Sequence, residues 1–215
     1  MAAGGVRITG GAFKGRAIKT VSGADPVSGY RPAMARVREA VCSMLEARGL
    51  RWPGTRVLDL FAGSGSLGFE ALSRGAVQAW FVEKDRAAAA CIGESAKHLG
   101  LGPDRVRVLC QDLFTFLRRR PQGVRFELIC IDPPYGKDLL ERALRETLEG
   151  GWLARGGMLL AEIEARLPLD PADWLGHGPL NPGLACVADR DYGQTRIVIW
   201  KDEANSPSTP GPSTP

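Results

Sequence analysis

Apolar and polar residues follow two alternating periods through most of the chain. From residue 56 to residue 163, short apolar runs alternate with longer segments in which apolar residues recur every three or four positions. The runs predict strands, and the segments between them predict helices. The predicted strands are 56–61, 77–83, 106–110, 126–131 and 158–163, and the predicted helices are 65–74, 85–99, 113–120 and 139–149. This alternation is typical of an α/β fold with a mainly parallel sheet covered on both faces.

Segments with other patterns flank this region. Residues 6–21 alternate apolar with basic positions around glycines and predict a small hairpin, and residues 31–48 predict a helix. Residues 184–188 and 195–200 predict a closing hairpin, and the Ser-, Thr- and Pro-rich stretch 202–215 is expected to be disordered. The sequence therefore predicts an N-terminal extension at 1–50, an α/β domain at 51–201 and a tail at 202–215.

The composition is that of an ordinary globular protein. With 44% hydrophobic and 24% charged residues, the 215-residue chain is long enough for one domain with extensions. It contains no apolar run near the ~20 residues of a membrane span, so we expect no membrane partner. We also expect a cytoplasmic protein that acts as a monomer. Five cysteines without a CxxC pair, together with two histidines, predict reduced thiols and no metal site.

The charge of the chain is distributed unevenly. Residues 1–38 carry seven basic residues against one acidic residue, a net +6, whereas the remainder carries about –2 of the total +4. A basic arm on a near-neutral body is typical of a protein that binds a polyanion, although a solvated basic face is the simpler alternative. The predicted phosphate contacts are Lys14, Arg16, Arg31, Arg36 and Arg38.

The strand at 126–131 ends abruptly at Asp132-Pro133-Pro134-Tyr135. Open α/β sheets bind ligands at the carboxyl ends of their strands, and prolines cannot continue a strand ladder, which leaves carbonyl groups free as acceptors. A carboxylate, free carbonyls and an aromatic ring suit a planar base with an exocyclic amino group. Acceptors that hold both N–H bonds favour the pyramidal nitrogen, whose lone pair can attack a methyl group. The alternative is a proline-rich turn with a solvated acid.

A glycine-rich turn follows the first strand of the repeating region. The stretch 63–68 satisfies the dinucleotide pattern G-x-G-x-x-G, and Glu83 ends the next strand where a ribose-binding acid would lie. These features alone would suggest NAD. Asp59 favours S-adenosylmethionine, because an acid is unfavourable beside a pyrophosphate but suits a cationic sulfonium. Asp112, after the third strand, offers an acceptor for an adenine amino group. Each of Glu83 and Asp112 is alternatively an ordinary acid at a strand end.

Two motifs together resemble a known class of enzymes. The stretch 59–76 (DLFAGSGSLGFEALSRGA) with Asp132–Tyr135 resembles the Rossmann-like amino-methyltransferases that use S-adenosylmethionine. The stretches RITGG at 7–11, KGR at 14–16, RP at 31–32, RVREA at 36–40 and DYG at 191–193 narrow the resemblance to the bacterial family that methylates a guanine N2 of 16S rRNA. The similarity covers residues 6–200.

This resemblance implies a fold, an activity and a set of site residues. The fold is a seven-stranded sheet whose last strand is antiparallel, with a basic hairpin and helix that bind rRNA or the small ribosomal subunit. The implied cofactor contacts are Asp59, Phe61, Gly63, Gly65, Glu83, Lys84, Asp112 and Leu113. The implied catalytic residues, which hold the guanine, are Asp132, Pro133, Pro134 and Tyr135. Glu162, near the end of the fifth strand, either lines the same pocket or is a surface acid.

The sequence departs from the family pattern at two places. Residues 33–35 are Ala-Met-Ala where the family has Thr-Thr-Asp, which puts local contacts near the helix start in doubt, and Ser95 replaces an Asn. Three rival functions stay open. They are a DNA adenine-N6 or other amino-methyltransferase, an NAD-dependent oxidoreductase, and a non-catalytic RNA-binding assembly factor.

Overall fold

The computed structural model describes residues 6–21, 30–134, 139–165 and 183–203, with the backbone alone at 30–33. Its strands are β1 (Val6–Arg7), β2 (Ala17–Ile18), β3 (Arg56–Leu60), β4 (Gln78–Glu83), β5 (Val106–Cys110), β6 (Phe126–Ile131), β7 (Leu153–Glu164), β8 (Leu184–Tyr192) and β9 (Thr195–Asp202). Its helices are α1 (Tyr30–Ala47), α2 (Ser66–Arg74), α3 (Arg86–Leu99), α4 (Leu113–Leu117) and α5 (Leu140–Glu149). Among these residues, no helix is long and apolar enough to cross a membrane.

Strands β3 to β9 form one sheet in the order β5-β4-β3-β6-β7-β9-β8. Strands β3 to β7 pair in parallel, whereas β9 runs antiparallel to both of its neighbours. The chain moves outward from β3 to β5 and then returns to place β6 beside β3. Ligands bind where the direction of winding reverses in this way. The predicted fold class is confirmed, including the seven strands and the antiparallel last strand.

Helices cover both faces of the sheet, because the central strands are apolar on both sides. Helices α1, α2 and α3 pack on one face through residues such as Leu45, Phe69 and Ile92. Helices α4 and α5 pack on the other face through residues such as Phe114 and Leu144. The sheet is therefore the middle of three layers. The helices cover its two faces and leave the ends of the strands uncovered.

The last three strands are longer than the sequence pattern predicts. Strand β7 begins at Leu153 rather than at residue 158, and its register against β6 shifts between Phe126 and Leu128. The glycines at 156 and 157 interrupt the apolar run, so the apolar pattern does not predict the first part of the strand. Strand β9 extends through Asp202, so the predicted tail at 202–215 begins one residue too early, and residues 204–215 lie outside the described residues.

The N-terminal hairpin is fixed to α2 by one buried acid. Glu70 is 0% exposed, and its carboxylate accepts hydrogen bonds from the Thr9 N–H at 2.9 Å, the Thr9 hydroxyl at 2.7 Å and the Gly10 N–H at 2.8 Å. Gly11 has φ +74°, and a Cβ there would lie 1.9 Å from the Ser73 carbonyl oxygen. The Thr-Gly-Gly stretch therefore serves to dock the hairpin, and only glycine fits at position 11.

Candidate functional site

A cleft of about 590 Å³ lies at the carboxyl ends of the parallel strands. Strands β3, β4, β5, β6 and β7 each bring residues to it, and the start of α1 closes one side. The lining residues are Met34, Phe61, Val82, Glu83, Lys84, Gln111, Asp112, Leu113, Phe114, Asp132, Pro133, Pro134, Leu139 and Glu162. Eight of the twelve predicted cofactor and catalytic residues thus line one cleft. This edge of the sheet is the one at which the direction of winding reverses.

The glycine-rich turn between β3 and α2 is shaped by backbone conformation. Phe61 has φ 59°, a left-handed value that is rare for a residue with a side chain, and Gly63 and Gly65 have φ 54° and 74°. A Cβ at Gly68 would lie 2.3 Å from Cε1 of Phe81, so this glycine allows the helix to pack closely on the sheet. The turn places Phe61 in the cleft, while Gly65 and Gly68 lie against aromatic rings of the core.

Asp59 lies beneath this turn rather than in the lining of the cleft. It is 2% exposed, and its carboxylate accepts a hydrogen bond from the Gly68 N–H at 3.1 Å. Burial raises the pKa of Asp59 from 3.8 to about 7, and the nearby Glu83 carboxylate adds to this effect. Asp59 thus connects the turn to the start of α2, a contact that the sequence pattern does not predict.

Because the folded state binds a proton at Asp59 that the unfolded state releases, this residue makes stability depend on pH. Its contribution is fully present below the unfolded pKa of 3.8 and is lost as the pH rises through about 7. We expect Asp59→Asn to gain stability relative to the wild type by up to about 1.4 kcal/mol per pH unit between pH ~4 and ~7. Urea unfolding at several pH values measures this difference. Above pH ~8, where Asp59 is ionised in both the folded and the unfolded state, the difference should no longer change with pH.

Glu83 and Asp112 present carboxylates from the ends of β4 and β5. The Glu83 oxygens accept hydrogen bonds from the N–H groups of Gly63 and Asp85, each at 2.8 Å. Asp112 caps α4 by accepting from the N–H and the hydroxyl of Thr115, at 2.9 and 3.1 Å, and the amide holds the pKa of Asp112 below its usual range. Both acids are therefore oriented by the local backbone before any ligand binds.

The Asp-Pro-Pro stretch borders the cleft on the β6 side. Asp132 follows the last residue of β6, and its neighbours Pro133 and Pro134 line the same cleft. Burial raises the pKa of Asp132 well above its usual range, and the carboxylates of Glu162 and Asp59 raise it further. Tyr135, predicted to stack on the base, lies outside the described residues.

Six lining residues were not in the predicted site, namely Met34, Val82, Gln111, Phe114, Leu139 and Glu162, and two of them bear on its chemistry. Glu162 on β7 is 8% exposed and lies in the cleft, which decides between the two alternatives left open for it. Its position on the strand that pairs with β6 is the signal in the sequence that points to this placement. Met34 also lines the cleft, at the place where the chain departs from the family pattern. An apolar side chain thus borders the cleft where a polar one was expected.

The basic residues predicted to contact phosphate do not lie together. Arg36 is exposed and lies within one turn of α1 from Met34, which lines the cleft, so Arg36 lies near the rim of the cleft. Lys14 and Arg16 are also exposed, but Arg16 donates to the carbonyl of His98 near the end of α3. Because α3 starts beside the cleft and is 14 residues long, the hairpin turn lies about 20 Å away, toward the opposite edge of the sheet. The side chain of Arg31 lies outside the described part of the structure.

Arg38 differs most from its predicted role. Only 7% of it is exposed, and its guanidinium donates to the carbonyl of Arg7 at 2.9 Å. Its Nε atom is buried without a partner in the described part of the chain. Burial lowers the pKa of Arg38, while the carboxylates of Glu70 and Glu162 favour its charged form. A guanidinium in this interior position supports no contact with a phosphate at the surface, so the prediction for Arg38 is not supported by its placement.

Comparisons with known proteins agree with this architecture. A family model described as "Conserved hypothetical protein 95" matches residues 6–201. Ribosomal RNA small subunit methyltransferase D of Escherichia coli is 34% identical over 207 residues, which are 95% of this chain and 94% of that protein. A putative rRNA methyltransferase of Bacillus subtilis is 33% identical over 201 residues, covering 91% of this chain and 98% of its own length.

Solved structures give the same result. A putative methyltransferase from Escherichia coli superimposes with a TM-score of 0.75 at 28% identity, covering 94% of this chain and 100% of its own. A hypothetical protein of Thermus thermophilus superimposes with a TM-score of 0.69 at 33% identity, covering 90% of this chain and 98% of its own. The chain therefore belongs to the Conserved hypothetical protein 95 family, the family of ribosomal RNA small subunit methyltransferase D, which confirms the family predicted from its motifs.

Proposed function

We propose that this protein transfers a methyl group from S-adenosylmethionine to the exocyclic N2 of a guanine in 16S rRNA of the small ribosomal subunit. The observation that carries the proposal is the arrangement of the cleft. It brings the Asp-Pro-Pro end of β6 within one cavity of the acids that end β4 and β5. A base-holding half and a cofactor-holding half thus meet at the same edge of the sheet.

The cofactor half of the cleft fits S-adenosylmethionine. Glu83 offers acceptors for ribose hydroxyls, and Asp112 offers an acceptor near the end of β5. Val82, Leu113 and Phe114 supply apolar surface for a flat ring. The bound cofactor supplies an electrophilic methyl group on a cationic sulfonium. The acids in and below the cleft favour that cation, because opposite charges attract strongly at a partly buried site.

The base half of the cleft prepares the amino group for attack. Asp132 and the carbonyl groups of the proline stretch accept the two N–H bonds of N2, so that the nitrogen lone pair is directed at the methyl carbon. Bound S-adenosylmethionine would supply the methyl group and leave as a neutral thioether, while the Asp132 carboxylate would accept the proton released from N2. The rest of the rate enhancement is positioning of two bound reactants, which contributes about 7–11 kcal/mol.

The RNA reaches the cleft along the side of the protein that carries α1, the hairpin and α3. An RNA held by both Arg36 and Lys14 spans the ~20 Å between the cleft and the end of α3, and the target base is flipped out of its surroundings into the pocket. We assign residues 1–50 to this RNA-binding extension and 51–201 to the methyltransferase domain. The substrate is cytoplasmic, and the protein is expected to act there as a monomer.

Removing one phosphate contact should weaken RNA binding in a salt-dependent way. For Arg36→Ala we expect a lower affinity for 16S rRNA and a salt dependence (log Kd against log salt concentration) smaller by about 1, because one fewer counterion is released. Filter binding at several salt concentrations measures both quantities. Arg155→Ala removes an exposed charge at the start of β7, away from the cleft, and should leave the slope unchanged. If the salt dependence of RNA binding is unchanged in Arg36→Ala, Arg36 does not contact a phosphate of the RNA.

The proposal is tested by methyl transfer from labelled S-adenosylmethionine to three acceptors in parallel. These are unmethylated 16S rRNA, small-subunit particles and duplex DNA. Transfer to the rRNA or to the particles is the expected result and identifies the form of substrate that the enzyme needs. Transfer to DNA alone would contradict the assignment of rRNA as the substrate and would favour a DNA amino-methyltransferase. Binding of the cofactor without transfer to any acceptor would favour the assembly factor.

A further inference from the structure

Glu162 and Asp132 are neighbours across two paired strands. The register of β6 against β7 pairs Ile131 with Ala161, so that Asp132 and Glu162 come next on the two parallel strands. Residues opposite each other in adjacent strands point to the same face of a sheet. Both residues line the cleft, and the Glu162 carboxylate is among the groups that raise the pKa of Asp132. The base half of the cleft therefore contains two carboxyl groups side by side.

Neither carboxyl group has a hydrogen-bond donor among the residues that the structure describes. Glu162 is 8% exposed, yet no described residue donates a hydrogen bond to its carboxylate. No described residue donates a hydrogen bond to the Asp132 carboxylate either. A carboxylate that is nearly buried without donors loses its hydration at a cost of free energy. A ligand that brings several N–H groups into the cleft would restore those hydrogen bonds. The two carboxyl groups therefore favour a ligand whose bound edge carries several hydrogen-bond donors over a ligand whose edge is apolar or carries acceptors.

The positive charge opposite Glu162 comes from α1. Arg38 is held in the interior by its hydrogen bond to the Arg7 carbonyl, and its charge favours the ionised form of Glu162 against the opposite effect of burial. Burial nevertheless raises the pKa of Glu162 overall, and the charge of Arg38 opposes that effect. Arg38 also connects the hairpin to the cleft, because the same guanidinium contacts β1 and faces the acid on β7.

We propose that Glu162 determines base specificity by accepting the N1–H of the target guanine, beside the N2 amino group held at Asp132. This inference rests on the proposed function. Guanine presents N1–H and N2–H₂ as adjacent donors on its Watson–Crick edge, and two adjacent carboxylates match them. Adenine and cytosine present a bare ring nitrogen at the corresponding place, where an ionised Glu162 would face a lone pair. A site built to bond a substrate N–H strongly rejects analogues that lack it.

The test uses RNA in which the target guanine is replaced by 2-aminopurine. This analogue keeps the N2 amino group but has an unprotonated N1 and lacks the O6 carbonyl. The loss of O6 is the same for every variant, so the change in preference between the wild type and Glu162→Gln reports the contact at N1. We expect the wild type to prefer guanine by about 10³-fold or more in kcat/KM. In Glu162→Gln the amide can donate to the unprotonated N1, so we expect the preference to fall to about 10-fold while kcat/KM for guanine drops by roughly 10- to 100-fold.

The control is Glu164→Gln, which removes an acid from the same strand, outside the lining of the cleft. It should keep the wild-type preference, and thermal unfolding with cofactor titration shows whether both variants are folded. An unchanged preference in Glu162→Gln, whether or not the rate falls, would overturn the assignment of Glu162. Failure of the wild type to methylate guanine in any RNA would instead overturn the proposed function, so the two failures are distinguishable.

Discussion

Replacing Asp132 by alanine is expected to lower kcat for methyl transfer by about 10³-fold, the loss typical when a group that stabilises the transition state is removed. The reason is that Asp132 is the acceptor that directs N2 toward the methyl group and then takes its proton. The affinity for S-adenosylmethionine should change little, because the cofactor acids are at the ends of other strands. Single-turnover transfer and cofactor titration measure the two quantities separately.

Asp132→Asn provides the matched comparison. The amide keeps the shape of the side chain and one acceptor oxygen, but it cannot take the proton, so its rate should lie between those of alanine and the wild type. A rate near that of the wild type in Asp132→Ala, with RNA and cofactor both bound, would contradict the catalytic assignment. Loss of cofactor binding in the same variant would show instead that Asp132 belongs to the other half of the cleft.

Glu70→Ala is expected to cause the largest loss of stability, about 3 kcal/mol or more. The variant leaves the N–H groups of Thr9 and Gly10 without their acceptor, and it leaves Arg74, whose guanidinium lies 3.2 Å from Glu70, without its buried partner. For a chain of this length, the melting temperature should fall by about 2–4 °C per kcal/mol. Calorimetry with denaturant unfolding checks the prediction.

The control for this prediction is Glu141→Ala. Glu141 is an exposed acid paired with Arg145 at 3.6 Å on α5, and the free energy of unfolding should change by no more than about 0.5 kcal/mol. Glu70→Ala should also release the hairpin from α2 and weaken RNA binding more than cofactor binding. A Glu70→Ala protein as stable as the wild type would contradict the view that this one carboxylate holds the hairpin in place.

The sequence predicts the fold well because its strands have simple patterns. Strands such as β5 and β6 are short apolar runs bounded by turn residues, and their observed limits equal the predicted ones. Strand β7 was predicted too short, because the glycines at 156 and 157 break the apolar run. The pairing of β7 with β6 nevertheless includes residues on both sides of these glycines. Helix α4 ends at Leu117 rather than at residue 120, because no apolar stripe continues to hold the last turn against the sheet.

The candidate site was predictable where local motifs carry the chemistry. The turn after β3 and the Asp-Pro-Pro stretch can be found by their residues alone, and the structure places them at one cleft. The positions of Asp59 and Arg38 could not be predicted, because burial depends on which helix covers the strand ends. The role of Glu70 was missed for the same reason, since its partners Thr9 and Gly10 are about sixty residues away in sequence.

The measurement that tests the central claim most directly is the identity of the methylated nucleoside. Labelled 16S rRNA or particles from the transfer reaction are digested to nucleosides, and the label is located by chromatography and mass spectrometry. The account predicts that the label is in N2-methylguanosine and is absent when Asp132→Ala replaces the wild type. Label in a methylated adenine or cytosine, or on a ring nitrogen or carbon of guanine, would contradict it.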